Sequence, residues 1–404
     1  MLYQSWFKRP CLLPRVGARH AVPTRFLNRR LVLRTLHYRS AGVLCLLLFL
    51  LLLGCQGGGG TTPAPPSPTV PPPAAEMQSL LALFPQAWGD IHAPVRIGPT
   101  FYFLDYRQMR HDLGVTVPVA EMSPEQKAAV QRGWNTQNLE WAAPNLGVED
   151  WGWTLDDVDQ SLLLVDFATW VLRGRFGAAV EARLVEKGYT ETQSMGFAIF
   201  RQDGATYQFA VRADMLIIAP AEGTQSMHFA TVVTRAANPE PGMESHPAVQ
   251  PLLERCPGIW GAVLLPSPDV VGFARDRVPE LSLPDEYDRF IQEWFVEAQV
   301  EPYGWGFMAI TFQGAGDTTA LQFLYHYPTA VQAQQDVELA RQSLTETALP
   351  YYRGRILADY ITLGDIAVQD TLLVAQAQTP SKTLLGNLLQ GFDYWGFMLV
   401  RHQE

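Results

Sequence analysis

The run AAVEARLVEKGYTETQSMGFAIFRQDGATYQFAVRADMLIIA, residues 178–219, decides how this chain folds. Ala178 to Lys187 spaces its apolar residues for a helix, and Gly188 is the residue that commonly closes one by adopting positive φ. Thr192 to Arg201 then reads as a strand, Asp203-Gly204 as a turn, and Tyr207 to Ala219 as a second strand. Working outward, Leu162 to Phe176 reads as a strand before the helix. Thr224 to Ala236 and Pro247 to Cys256 read as helices after the pair, and Trp260 to Leu265 as a closing strand. The order is βαββαβ.

The C-terminal third repeats it. Thr319 to Tyr327 is a strand and Thr329 to Thr345 a helix; Leu357 to Gln369 and Thr371 to Gln378 form a strand pair. Pro380 to Gln390 is a helix, and Tyr394 to Val400 closes the chain. Trp305-Gly306-Phe307-Met308 repeats Trp395-Gly396-Phe397-Met398 verbatim and opens an extra strand ahead of the second unit. The expectation is an α+β chain of two tandem βαββαβ units with antiparallel sheets, at 159–266 and 304–404. Each resembles the ferredoxin-like split unit. Between them, 267–303 carries one amphipathic helix, Asp285 to Ala298. A mixed N-terminal segment, 77–158, precedes them, with a strand at Phe101–Leu104 and a helix opened by Ser123-Pro124-Glu125-Gln126, a capping-box pattern.

Charge divides the chain. The 404 residues carry −10, yet residues 1–54 hold nine Lys/Arg and no Asp or Glu. From position 55 onward, 21 basic and 40 acidic residues leave −19, which excludes a general nucleic-acid binder needing a basic surface. The basic arm runs into thirteen apolar residues, Ala41 to Leu53. That is the length of a secretory h-region and well short of the roughly 20 needed to span a bilayer.

Leu52-Leu53-Gly54-Cys55 then resembles the lipobox of bacterial lipoproteins. The resemblance covers the signal architecture and these four residues. It implies cleavage between Gly54 and Cys55 and diacylglycerol on Cys55, hence an anchor in membrane lipid on the extracytoplasmic side of the cell envelope. Two or three acyl chains anchor stably where one does not. The basic n-region is over-long for the pattern, and a start near Leu31–Leu33 would account for it. Residues 55–76 follow with Gly57–Gly60 and seven prolines between Pro63 and Pro73, a semi-rigid tether that cannot form a core. Gln56, where an Asp would signal inner-membrane retention, carries no such signal.

The folded part holds no His-Glu-x-x-His, Gly-x-Ser-x-Gly, Walker or Gly-x-Gly-x-x-Gly pattern, and nothing in it calls for a metal or cofactor. Asp156, Asp157 and Asp159 lack the spacing of a calcium loop, and Thr154 before them reads as a helix cap. Five of eleven tryptophans precede glycine. Flat indole faces bind sugars and peptides, which makes Trp151, Trp153, Trp305 and Trp395 candidates for a ligand platform; equally, Trp-Gly can cover a strand start where another group approaches closely. The functional expectation is a non-catalytic binding or structural envelope protein with a protein or glycan ligand. The alternative is a glycan-directed envelope hydrolase whose paired carboxylates, such as Glu286/Asp288 or Asp365/Asp370, sequence cannot place.

Overall fold

A computed structural model describes residues 75–90, 100–126, 151–164, 168–222, 225–256, 258–266, 298–300, 307–315, 318–346, 356–379 and 400–402. Its strands are β1 (Phe101–Asp105), β2 (Val158–Leu164), β3 (Thr169–Gly174), β4 (Thr190–Ser194), β5 (Phe197–Arg201), β6 (Tyr207–Arg212), β7 (Met215–Pro220), β8 (Gly261–Pro266), β9 (Ala298–Val300), β10 (Phe307–Ala315), β11 (Thr318–His326), β12 (Thr362–Gln369), β13 (Leu372–Thr379) and β14 (Val400–His402). The helices are α1 (Ala75–Leu81), α2 (Tyr106–Asp112), α3 (Ala178–Glu186), α4 (Gln225–Ala237), α5 (Gln250–Leu253), α6 (Ala330–Gln335) and α7 (Val337–Glu346).

Among the described residues twelve strands join in one antiparallel sheet, ordered β12-β13-β11-β10-β8-β1-β2-β3-β7-β6-β5-β4, while β9 and β14 pair separately. Both faces of the sheet are covered. On one, Met109 of α2, Val180 and Leu184 of α3, and Leu339 and Leu344 of α7 pack over Leu172, Val263 and Phe323. On the other, Leu80 and Leu81 of α1, Val232 of α4 and Leu252 of α5 pack over Phe103, Val171 and Leu264. A mixed architecture of helices on two sides of one sheet results. A strand buried on both faces cannot alternate polar and apolar residues. In β7 Leu216 and Ile218 enter one cluster and Met215 and Ile217 the other, so the run is apolar throughout.

This architecture corrects the expected tandem βαββαβ units. Three segments predicted as single long strands are hairpins. Leu162–Phe176 spans parts of β2 and β3, Thr192–Arg201 lies in β4 and β5, and Tyr207–Ala219 covers β6 and β7. Two of the three hidden turns use non-glycine residues at positive φ: Ala168 at 44° and Met195 at 53°, the latter ahead of Gly196 at 78°. Two successive positive values are what a two-residue hairpin turn requires. Pro247–Cys256 holds only the one-turn α5, and Thr329–Thr345 is broken at Asp336 into α6 and α7. The expected helix at Asp285–Ala298, the helix after Pro380 and most of the closing strand lie outside the described residues.

The two halves of the sheet nevertheless share an order of connection, with limits other than those expected. Outward from the centre, one half runs β1-β2-β3-β7-β6-β5-β4 and the other β8-β10-β11-β13-β12. In each, a hairpin (β2–β3 or β10–β11) is followed by helix, and then by strands whose last member returns to pair with the hairpin's second strand. β8 therefore opens the second half instead of closing the first. It meets β1 antiparallel at the sheet centre, Phe101 opposite Leu264 and Leu104 opposite Gly261.

The Trp-Gly motif at Trp260-Gly261 is explained here by sterics. A Cβ on Gly261 would lie 2.2 Å from the Phe312 ring, and one on Gly314 would lie 2.2 Å from the Trp260 ring. Each glycine is the floor under the other strand's aromatic group, while the indole Nε1 donates to Asp112 at 2.8 Å. Gly152, after Trp151, has φ +80° and abuts the Ala179 carbonyl. Gly314→Ala should therefore force the Trp260 ring aside and cost about 1–3 kcal/mol, read as a lower urea midpoint at unchanged slope.

Two histidines sit neutral inside the fold. Burial lowers the His326 pKa, with the neighbouring His246 lowering it further, and its Nδ1 is buried. His246 accepts from the Ala248 amide and lies edge-on to Phe307. Burial lowers His228 likewise, against Trp88. A depressed histidine makes no difference to stability while both states are neutral. Below about 6.5 the unfolded chain takes up the proton first, and stability falls as pH drops toward the folded-state value. Melting temperature should accordingly decline between about pH 6.5 and 5, and His326→Gln should flatten that slope whatever it does to the level at pH 7.

Candidate functional site

Where the helical cover of the second face ends, the sheet becomes polar. Register places Thr311, Gln322 and Gln376 in one cross-strand row, and Gln313, Ala320, Gln378 and Thr362 in the next. Side chains alternate along a strand, so both rows share the face that holds Ala309, Leu324 and Val374. Gln313, Gln376 and Gln378 are exposed and Gln322 half-buried, over a floor that includes buried Ile259 and Thr311. They line an open depression of about 420 Å³. None of its described lining residues is charged. Primary amides each present a donor and an acceptor, so the described lining can exchange hydrogen bonds with an uncharged polar ligand and offers no charge to an ion.

The polar character continues along the same sheet end on the same face. Asp105, at the close of β1, lies opposite Gln160, and Gln160 opposite Arg173. The Asp105 carboxylate caps α2 by accepting from the Gln108 amide at 2.7 Å, and Gln160 approaches it at 3.5 Å. Burial raises its pKa, with the Gln108 amide and Arg107 pulling the other way. Arg173 donates to Ser79 at 2.5 Å and reaches Glu76 at 3.5 Å, while Arg107 meets Glu76 at 2.6 Å. These groups fasten α1 to the end of the sheet, so Asp105 serves as a cap beside a structural ion-pair network.

The other residues singled out from sequence fall elsewhere. Trp153 is buried with its ring edge-on to Phe176. Trp151 is half-buried against Phe209 and Tyr189, with the Lys187 ammonium 4.4 Å over its ring. Both belong to the region where α3 meets the sheet, away from the glutamine rows. Trp305, Trp395, Gly54 and Cys55 lie outside the described residues, as do Glu286 and Asp288. Asp157 forms the expected capping box with Thr154, Asp156 pairs with Arg110 at 3.1 Å, and Asp370 pairs with Arg255 at 3.1 Å. Cys256 is buried, donates to the Leu252 carbonyl, and is pushed up to about 12 by burial, an unreactive thiol. Among the described residues no three His, Cys, Asp or Glu side chains gather as a metal site would require.

Sequence reasoning missed the trough because its glutamines come from β10, β11 and β13 and form no linear motif. The one local signal is Gln376-Ala377-Gln378, where polar residues begin to alternate at the end of an apolar strand.

Among the described residues no helix is long and apolar enough to cross a membrane. No protein-family model matches the chain, and no curated protein does. Solved structures of TP0453 in crystal forms IV, III and I align with 75% of this chain and 96%, 96% and 95% of theirs. Their TM-scores are 0.37, 0.34 and 0.33, at 9%, 9% and 11% identity, an overlap too loose to carry fold or function across.

Proposed function

We propose that the chain is a lipid-anchored protein of the cell envelope, exposed on the extracytoplasmic side, that binds its ligand without transforming it. The observation that carries the anchor is the order of segments. A basic arm and thirteen apolar residues lead to Leu52-Leu53-Gly54-Cys55, and a Gly/Pro-rich tether then runs to Ala75, where α1 begins. Arg107 and Arg173 hold Glu76 in the first turn of α1, so the tether ends on a fixed point of the domain. The composition of that tether, four glycines and then seven prolines between Pro63 and Pro73, favours an extended spacer. With −19 beyond position 54, repulsion from anionic lipid favours a domain held off the surface. An amide-lined trough whose described lining carries no carboxylate supports binding over hydrolysis, because glycoside hydrolysis typically uses two carboxylates facing the substrate; of the candidate pair Asp365 and Asp370, Asp370 is engaged by Arg255. The matching connectivity of the two halves supports descent from a duplicated hairpin–helix–strand unit.

Palmitate labelling in a bacterial host, with mass spectrometry of the purified N-terminus, tests the anchor. Wild type should begin at a diacylated Cys55 and fractionate with membranes. Cys55→Ser should lose more than nine-tenths of the label and accumulate as uncleaved precursor. A wild-type chain beginning at an unmodified Met1 or Cys55 would refute the anchor.

A further inference from the structure

The glutamine trough has a chemistry specific enough to name a ligand class, and we propose that it binds a neutral oligosaccharide bearing hydroxyl and acetamido groups. This rests on the binding reading above and is independent of the anchor.

The first ground is charge. The chain beyond position 54 is strongly acidic, yet the described lining of the trough is wholly uncharged. A phosphate, a carboxylate or a basic peptide would find no opposite charge in that described lining, whereas a neutral, hydrogen-bonding ligand needs none. The second ground is donor–acceptor pattern. Each of Gln313, Gln322, Gln376 and Gln378 offers one carbonyl and one NH₂ group. That pair matches the O–H of a sugar, which both donates and accepts, and matches an acetamido group in the manner of two amides.

The third ground is spacing. The rows cross β10, β11 and β13 in direct register, Thr311 opposite Gln322 and Gln322 opposite Gln376. Adjacent strands lie about 4.8 Å apart, a separation close to the length of one pyranose ring. A short glycan running across the strands would thus meet Gln322 and Gln376 one sugar apart, above buried Thr311, and in the next row Gln313 and Gln378 on either side of Ala320. The volume of about 420 Å³ falls in the range of roughly 300–1,000 Å³ typical of small-ligand pockets.

An extended peptide could also pair with amides, but peptides usually add along an exposed sheet edge. The edge beside this trough is β12, whose register shifts between Leu363 and Ile366. A bulge interrupts the hydrogen-bond row that an incoming strand needs. The trough lies across strands, inward from that edge, which favours the glycan.

The test uses the full chain purified in detergent micelles, titrated calorimetrically with chitotetraose and, separately, with an uncharged Ala/Ser/Gly peptide. Wild type should bind chitotetraose with an affinity that changes less than twofold between about 50 and 500 mM NaCl, since no ion pair is involved. The double variant Gln376→Ala/Gln378→Ala, at two exposed positions, should weaken binding at least tenfold with its melting temperature unchanged. Gln193→Ala, on the far edge strand β4, should bind as wild type. Chitotetraose binding that survives the double variant overturns the site. Peptide binding without chitotetraose binding, lost in the double variant, overturns the ligand class and leaves the binding reading standing. Binding of neither probe overturns the oligosaccharide proposal, whereas the binding reading itself fails only if a wider panel of uncharged polar ligands also shows no trough-dependent binding.

Discussion

The antiparallel pairing of β1 with β8 is the constraint on which the rest of this fold depends. Four residue pairs, from Phe101–Leu264 to Leu104–Gly261, join segments about 160 positions apart and turn two half-sheets into one. The Asp105 amide extends the seam by donating to the Trp260 carbonyl at 2.8 Å. Beyond it, β8 is held to β10 by the reciprocal packing of Trp260 over Gly314 and Phe312 over Gly261. Because these contacts are so distant in sequence, loop closure must precede most of their stabilisation, which places the fold among the slower-folding topologies.

Covering both faces has a consequence for what the sequence reveals. Helix α3 was legible from its apolar spacing and from Gly188, which takes φ +91° as a helix-ending glycine should. Asp203-Gly204 was legible as a turn, with Gly204 at +70°. The β12–β13 pair about Asp370 was legible too; the β2–β3, β4–β5 and β6–β7 hairpins were not. A doubly buried strand has no period of two to mark where it starts or stops, and Ala168 and Met195 enter positive φ without the Asn-Gly or Asp-Gly that usually announces it. Read as single strands, these hairpins give the order βαββαβ, whereas the chain reverses within each of them. What the two halves of the sheet share is the order of hairpin, helix and returning strand, four strands after the helix in one and two in the other.

The trough was illegible for a different reason. A catalytic motif is read along the chain because a loop or helix turn fixes its spacing. Here register does that work. Gln313 and Gln378 are 65 positions apart and share a row only because β10 pairs with β11 and β11 with β13. Tryptophans are conspicuous in sequence, yet the rings of Trp151 and Trp153 pack against Phe209 and Phe176. Glutamines carry no such signal, being common and chemically unspecific one at a time.

The same register that builds the trough limits how it could recognise a ligand. Side chains standing on neighbouring strands cannot close around a guest as loops do, so selectivity must come from the fixed spacing of donors and acceptors and from the exclusion of charge. That spacing is secure where the strands are tied from beneath, by Phe312, Leu321 and Ala377 buried on the opposite face. It loosens toward β12, where the bulge between Leu363 and Ile366 interrupts the ladder before it resumes from Ile366 to Gln369. The geometry of donors and acceptors is therefore firmest at Gln322, on a central strand, and loosest at Thr362 on the edge strand, an ordering set by burial beneath each strand and not by the chemistry of the residue on top.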